Sequence, residues 1–351
     1  MSVTSDQLPD RPGPELPAPA GVGAPRRGDR FRVGVAGFVL RRLALGLLTM
    51  VIASIAIFAA TQALPGDPAR ARLGKDATAA SLAELHQQLG LDRPVLQQYL
   101  DWAGGLLHGD LGTSLISGHP IWDDLGDRAA NSAFLVLMAA LLSIPLSVGI
   151  GVYAALYRDR AVDTISGLVL LALAAMPEFV VGLLLVAGFA TTVFKVLPAV
   201  SIIPPGVPPY TDLSKIWLPT ATLVIAVAPY VARIMRASMV EVLESEYIEM
   251  ARLKGVSERV VVWRHAVPNA LGPTFQVIAL SLAYLAGGVI VVESVFNYSG
   301  IGIALRDAVL NRDFTTVQAV AMLIAGVYVV TNLLADVATI LVTPRLRTGL
   351  R

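Results

Sequence analysis

Six runs of mostly apolar residues decide what this chain can become. They cover residues 38–64, 133–157, 164–193, 216–232, 271–292 and 315–342. A membrane-crossing helix needs about 20 such residues at a rise of 1.5 Å each. In lipid every backbone N–H and C=O must find its partner within the protein, which leaves helices or a closed barrel. The ten-residue alternation of a barrel is absent, so the expected class is an all-α membrane protein with six transmembrane helices. The run 216–232 is the weakest, being short and holding Pro219 and Pro229. The run 164–193 is long enough to tilt or to continue beyond the bilayer, and Pro177 inside it predicts a kink. Composition agrees: 55% of residues are apolar and 15% charged, against about a quarter charged in an ordinary soluble domain.

An even number of spans puts both termini on one side. With that side cytoplasmic, the inner segments hold 18 of the 27 Lys and Arg residues. The bias of basic residues toward the cytoplasm therefore predicts cytoplasmic termini in a cell membrane. Residues 1–37 begin rich in Pro, Gly and Asp and are expected as a disordered cytoplasmic tail. Residues 38–345 form the membrane body and 346–351 a second short tail. The first apolar run starts too late and is too long for a signal peptide.

The outer loop 65–132 carries helical spacing in Leu82, Leu85 and Leu89, and again in Val95, Leu96, Tyr99, Leu100 and Trp102. Gly90 and Asp92-Arg93-Pro94 separate the two pieces, which predicts two short amphipathic helices. Two readings stay open. The loop is a platform for an extracytoplasmic partner, contacted through Glu84, Gln97, Tyr99 and Trp102, or it caps the outer ends of the spans.

Little in the chain suggests chemistry. It has no cysteine, which excludes disulfides, thiolate zinc sites and a cysteine nucleophile. His86, His108, His119 and His265 are too far apart for local metal spacing, so no metal and no cofactor are expected. The formal charge of +1 suggests no nucleic-acid partner. The nearest P-loop fragment, Gly74-Lys75-Asp76, lacks the earlier glycine and the Ser/Thr after the lysine. No catalytic constellation is placed to make this an enzyme. Charges near the spans are costly and need roles. Glu178, beside Pro177, either lines a translocation path near a substrate amine or bonds backbone groups freed at the kink. Asp336, with Asn332 a turn earlier, reads as an interhelical hydrogen-bonding residue. Glu293 and Lys195 lie near outer ends and can snorkel. Asp163 suits a helix N-terminus.

Residues 241–269, EVLESEYIEMARLKGVSERVVVWRHAVPN, form a polar island between two apolar runs. Residues 241–254 read as one helix without Pro or Gly. Tyr247, Met250, Ala251 and Lys254 share a face, and small Ala251 would let a partner approach closely. Gly255 ends the helix as a left-handed residue, and Ser257 caps a second helix through 260–263. Taken alone, this knob could equally lie on acidic lipid headgroups through Arg252, Lys254 and Arg259.

Glu249-Met250-Ala251, Gly255 and His265-Ala266-Val267-Pro268 give E-x-A, three residues, Gly, nine residues, x-x-V-P. This resembles the EAA loop of ABC importer permeases, E-A-A-x3-G-x9-I-x-L-P. Further pieces resemble the dipeptide/oligopeptide branch of that family. They are Leu64-Pro65-Gly66-Asp67-Pro68; Gly90-Leu91-Asp92-Arg93-Pro94 with Gln98-Tyr99 and Trp102; Gly109-Asp110-Leu111-Gly112-Thr113-Ser114; Pro177-Glu178-Phe179 with Gly182-Leu183-Leu184-Leu185, in the pattern P-x-F-x-x-G-L-L-L; Val292-Glu293-Ser294-Val295-Phe296; Gly300-Ile301-Gly302; and Arg312-Asp313-Phe314. Met250 and His265 depart from the generic loop but suit the branch. Ala130-Asn131 stands where Leu-Pro is usual, and Tyr298-Ser299 lacks a common proline.

The resemblance implies a type I ABC importer permease fold of six transmembrane helices with cytoplasmic coupling helices. It implies an ATPase-docking loop over 233–270, using Glu249, Met250, Ala251, Arg252, Gly255, Ser257, His265 and Pro268. The implied partners are a homologous second permease, two ABC ATPase domains that bind ATP and Mg, an extracytoplasmic substrate-binding protein and the lipid bilayer. The implied cargo is di- or oligopeptides, with nickel chelates, glutathione or oligosaccharides as alternatives. Specificity is expected to lie mostly outside this subunit. An ion-driven secondary transporter is the reading from another class, and it would need no docking knob.

Overall fold

The computed structural model describes residues 35–63, 67–73 and 78–342. Residues 1–34 and 343–351, the Leu64-Pro65-Gly66 piece and Gly74-Lys75-Asp76 lie outside them. All long elements among the described residues are helices: α1 Val35–Ala63, α2 Pro68–Leu73, α3 Ala79–Leu89, α4 Val95–Leu107, α5 Ile121–Leu156, α6 Ala161–Ala175, α7 Glu178–Leu185, α8 Ser214–Leu243, α9 Glu246–Leu253, α10 Glu258–Val260, α11 Val267–Phe296, α12 Ile301–Leu310 and α13 Phe314–Val342. Five helices are each long and apolar enough to cross a membrane, and two bent pairs raise the number to as many as seven. The six apolar runs of the sequence fall on α1, α5, α8, α11 and α13 and on the bent pair α6–α7.

Helix α8 occupies the centre. It packs against α5, α6, α7 and α11, and Leu223, Val227 and Val231 join Leu135 of α5 and Leu285, Val289 and Phe296 of α11 in the main core. The weakest apolar run of the sequence is therefore the most enclosed span. A helix sheathed by protein does not need a uniformly apolar surface to avoid lipid. Near its end α8 meets α5 at backbone distance: a Cβ built on Gly151 would lie 2.7 Å from the Ala232 carbonyl oxygen and 2.6 Å from Met235 Cβ. Only glycine permits that approach.

Helices α1 and α13 run antiparallel along the outside. Arg42 pairs with Asp336 at 3.0 Å near one end, and Gln318 donates to Thr61 at 2.7 Å near the other. Asp336 thus does bridge helices, through an arginine; Asn332 instead donates to Tyr328 within α13.

Two expectations about spans change. Helix α5 starts at Ile121, twelve residues before the apolar run, because Pro120 sets an extended entry and Asp123 and Asp124 favour its first turn. At 36 residues α5 is longer than a bilayer crossing needs, so its first turns belong to a helical end of the loop 65–132. The second change is at Pro177, where the chain turns by 106° between α6 and α7, far more than a kink. Met176 and Pro177 are both extended, as the restriction on the residue before proline demands. Fifteen residues of α6 reach only about 22 Å, short of a hydrocarbon core of about 30 Å. The break therefore falls at membrane depth.

The two amphipathic helices of the outer loop are present as α3 and α4. Thr78 and Ser81 form a reciprocal cap at the start of α3, and Gly90 ends it at φ 65°.

Candidate functional site

The island folds as a compact knob at one end of the bundle, but not as one helix followed by another. Helix α8 stops at Leu243, and Ser245 is extended (φ −72°, ψ 146°) before α9 begins. Its hydroxyl donates to the Val242 carbonyl at 2.6 Å, the competition with helical hydrogen bonding that makes serine a boundary residue. Glu246 and Glu249 then fall in the first turn of α9, where negative charge is favoured.

Gly255 follows α9 at φ 78°, the left-handed turn expected of it. Arg252 closes the turn by forking onto Glu258, with bonds of 3.1 and 2.7 Å. Ser257 occupies the cap position of α10, yet its side chain makes no capping bond. Instead of a separate second helix, the short α10 passes through a π-helical turn, Val261–Ala266, directly into α11. Tyr247 and His265 join α9 to this turn through a 2.6 Å hydrogen bond between Oη and Nδ1.

Ala251 does not offer itself to a partner. With Ile248 it is buried against Val152, Met235, Met239, Val261 and Ala266, so its small size lets α9 press onto the body of the protein. The exposed side of the knob carries Tyr247, Glu249, Met250, Arg252, Leu253 and Lys254, with Trp263, Arg264 and Pro268 nearby in the chain. Leu253 is 75% exposed and Trp263 60%. Exposed apolar residues clustered in this way mark interaction surfaces. Sequence reasoning missed both, although Leu253 stands three residues after Met250 at helical spacing.

At the opposite end, Tyr99 and Trp102 turn inward. Their rings lie 5.4 and 5.7 Å from that of Phe58 on α1, and Tyr99 Oη is 3.0 Å from Ser54 Oγ. Gln98 donates to the Leu91 and Arg93 carbonyls at 3.1 and 2.8 Å. The Q-Y…W run thus fastens α4 to α1 and to its own entry turn. That removes Tyr99 and Trp102 from the outward-facing set, because aromatic rings this large bury where a span offers a matching face. Glu84 and Gln97 remain exposed. Asp67 accepts from both His86 Nε2 at 2.9 Å and the Ala69 N–H at 2.9 Å. Burial works to raise its carboxyl, but the bonds from His86 and Ala69 outweigh it and hold the carboxyl below the usual aspartate range.

Glu293 does not snorkel. It is fully buried, accepts from Ser132 Oγ, and accepts from the Gly302 N–H at 2.6 Å. Ser132 Oγ in turn accepts from the Ile301 N–H at 2.9 Å. Tyr298 donates to the Asn131 carbonyl at 2.8 Å, and Asn131 donates to the Ser299 carbonyl at 2.9 Å. The two unusual dipeptides, Ala130-Asn131 and Tyr298-Ser299, therefore meet. A Cβ on Gly302 would lie 2.7 Å from Ile290 Cα, which accounts for a glycine beside the carboxylate. Across the same end, Asp313 accepts from Ser114 Oγ at 2.5 Å and from the Leu115 N–H at 3.1 Å, joining two of the short motifs.

Asp163 does more than favour a helix start. It is buried and takes both Arg236 Nε and Nη2, at 2.5 and 2.6 Å, tying α6 to α8. Lys195 is exposed. Glu178 accepts from the Tyr284 hydroxyl on α11; no bond from its side chain to a backbone group at the kink is seen among the described residues.

Residues 147–348 match the family model described as "Binding-protein-dependent transport system inner membrane component", and residues 35–138 match its N-terminal companion. Among curated relatives, the "Probable peptide ABC transporter permease protein" of Sinorhizobium fredii (strain NBRC 101917 / NGR234) is 37% identical over 315 residues, covering 88% of this chain and 99% of that one. The glutathione transport system permease protein of Escherichia coli (strain K12) is 35% identical over 311 residues, covering 88% and 98%. A solved chain titled "Crystal structure of an amino acid ABC transporter with histidines" covers 62% of this chain and 92% of its own length, with a TM-score of 0.44 and 18% identity, too little to add to the sequence matches.

Proposed function

The chain belongs to the binding-protein-dependent transport system inner membrane components, the permeases of ABC importers, and from that premise we propose that it carries di- or oligopeptides delivered by an external binding protein. The observation that supports the coupling half of this reading is the knob. Helix α9 is pinned to the bundle by Ile248 and Ala251 while Tyr247, Met250 and Leu253 stay exposed, so a partner seated there would push directly on α8 and α11. In this reading the partner is an ATPase domain, and the knob end with both termini is cytoplasmic. Hydrolysis takes place on that partner with its own ATP and Mg. A homologous second permease and a second ATPase domain complete the complex, and exposed Glu84 and Gln97 face the binding protein. Switching between inward- and outward-facing packings follows if the ATPases hold the knob differently in the two states.

Gly255→Val tests the docking assignment. A β-branched side chain is strongly disfavoured at φ 78°, and no span is altered. Co-purification of the ATPases and ATP-driven peptide uptake should fall together, while membrane insertion stays normal. Normal ATPase binding and uptake would leave the knob as a lipid-surface element instead.

The glutathione permease of Escherichia coli is nearly as similar as the peptide relative. Glutathione is therefore the second cargo to measure, and uptake of glutathione without peptides would replace the first reading.

A further inference from the structure

Glu178 sits in the first turn of α7, where a helix N-terminus favours negative charge, but that placement leaves most of its hydrogen-bonding capacity unused. It opens α7 after a break that lies at membrane depth, and it is only partly buried. A charge at that depth facing lipid is strongly unfavourable. Among the described residues no ion pair includes it, and its hydrogen bond is the single one from neutral Tyr284. A carboxylate can accept about four hydrogen bonds, so most of its capacity is open.

Its surroundings are also unlike a lipid-facing surface. Between Leu43 and Ala60 the exposed residues of α1 are apolar except for Thr49. The exposed stripe of α11 carries Gln276 and Tyr284 among Leu280 and Val291, and that of α8 carries Tyr230 and Arg233 beside Ile234. Tyr230 stands within electrostatic reach of Tyr284. The carboxylate lies over Gly288, where an added Cβ would be 3.0 Å from Oε1, so no side chain of α11 covers it there.

We infer that Glu178, oriented by Tyr284, is a station on the wall of the translocation path that takes a positively charged group of the cargo, an ammonium or a guanidinium. Tyr230 and Tyr284 contribute aromatic faces that favour the same charge. The inference rests on the proposed permease reading and deepens it. The binding protein still selects the cargo, and Glu178 sets which delivered cargo passes fastest.

The test uses the complete transporter in proteoliposomes with its binding protein at saturation. Three tripeptides of equal length serve as probes: Ala-Lys-Ala, Ala-Gln-Ala and Ala-Glu-Ala. Glu178→Gln should lower the maximal rate for Ala-Lys-Ala relative to Ala-Gln-Ala by about tenfold, the factor that about 1.4 kcal/mol confers. It should raise the relative rate for Ala-Glu-Ala. Glu178→Asp should restore the wild-type order, and Tyr284→Phe, which removes only the orienting hydroxyl, should shift the ratios in the same direction by less. Equal losses for all three peptides, or unchanged ratios, would overturn the inference and leave Glu178 a packing residue. Failure of the wild type to move any of the three, with ATP hydrolysis intact, would overturn the peptide reading and this inference with it.

Discussion

Two carboxylates meet at α11, Glu293 from the helix itself and Glu178 from α7, and the protein treats them in opposite ways. Glu293 is wholly enclosed, with Ser132 Oγ and the Gly302 N–H directed at it and glycines cleared around it. Glu178 has one tyrosine hydroxyl and an open side. Buried polar groups are almost always hydrogen-bonded, and through its bonds to Ser132 and Gly302 Glu293 is a fastening that draws α5, α11 and α12 into one junction. Glu178 joins no such junction, and its open capacity is what the proposed cargo contact would use. Enclosure, rather than residue type, separates the two: Glu293 is wholly buried and Glu178 only partly.

The sharpest way to break this comparison is Glu293→Ala. It strands the Ser132 hydroxyl and the Gly302 N–H, and each buried group left unpaired costs about 1–3 kcal/mol. The purified complex should melt well below the parent, with lower yield; an unchanged melting temperature would mean that the junction holds without its carboxylate.

An intermediate case is Asp67, a carboxylate near the surface with its own partners. Its pKa is lowered by folding, so its contribution is fully present above the ordinary aspartate value of about 3.9 and is lost as pH falls through the lowered folded value. Protection of the α2 and α3 amides, taken relative to intrinsic exchange at each pH, should therefore fall on acidification below that point. In Asp67→Asn the exchange should already be faster at neutral pH and should lack this pH step. Identical profiles for the two proteins would assign the ordering of α2 and α3 to other contacts.

The smallest effect is expected for the stability of Glu178→Gln. Replacing the carboxylate by an amide that still accepts from Tyr284 should change the melting temperature by no more than a surface substitution does, about 0.5 kcal/mol or less. A large loss would place Glu178 with Glu293 as a fastening.

Much of this arrangement was legible from local pattern. The apolar runs located the long helices, the spacing of Leu82, Leu85 and Leu89 gave α3, and Gly255 announced its left-handed turn. Most of the failures share one cause, contacts between residues far apart in sequence. Ser132 and Glu293 are separated by 161 positions, and nothing near Glu293 reveals that a hydroxyl and a helix start await it. Tyr99 and Trp102 have a helical period, but only Phe58 on α1 decides that they face inward. The same holds for Ala251, whose neighbours in space come from α5 and α8. Two misses were local. Ser245 is a helix boundary residue that the continuous Glu- and Leu-rich stretch disguised. Pro177 carried the right sign but not the size of its effect, because a proline in a span can bend a helix slightly or end it.

The glycine contact between α5 and α8 has a mechanical consequence. Helix α8 is continuous from Ser214 to Leu243 despite its two prolines, and at Ala232 it rests on the backbone of Gly151. That point divides it unequally: about 16 Å lie toward the knob and about 27 Å toward the other end, at 1.5 Å per residue. Any tilt of α8 about this fulcrum makes it a lever with the short arm at the knob. A displacement imposed on α9 would arrive at the far end of the bundle enlarged by more than half, and reversed in direction.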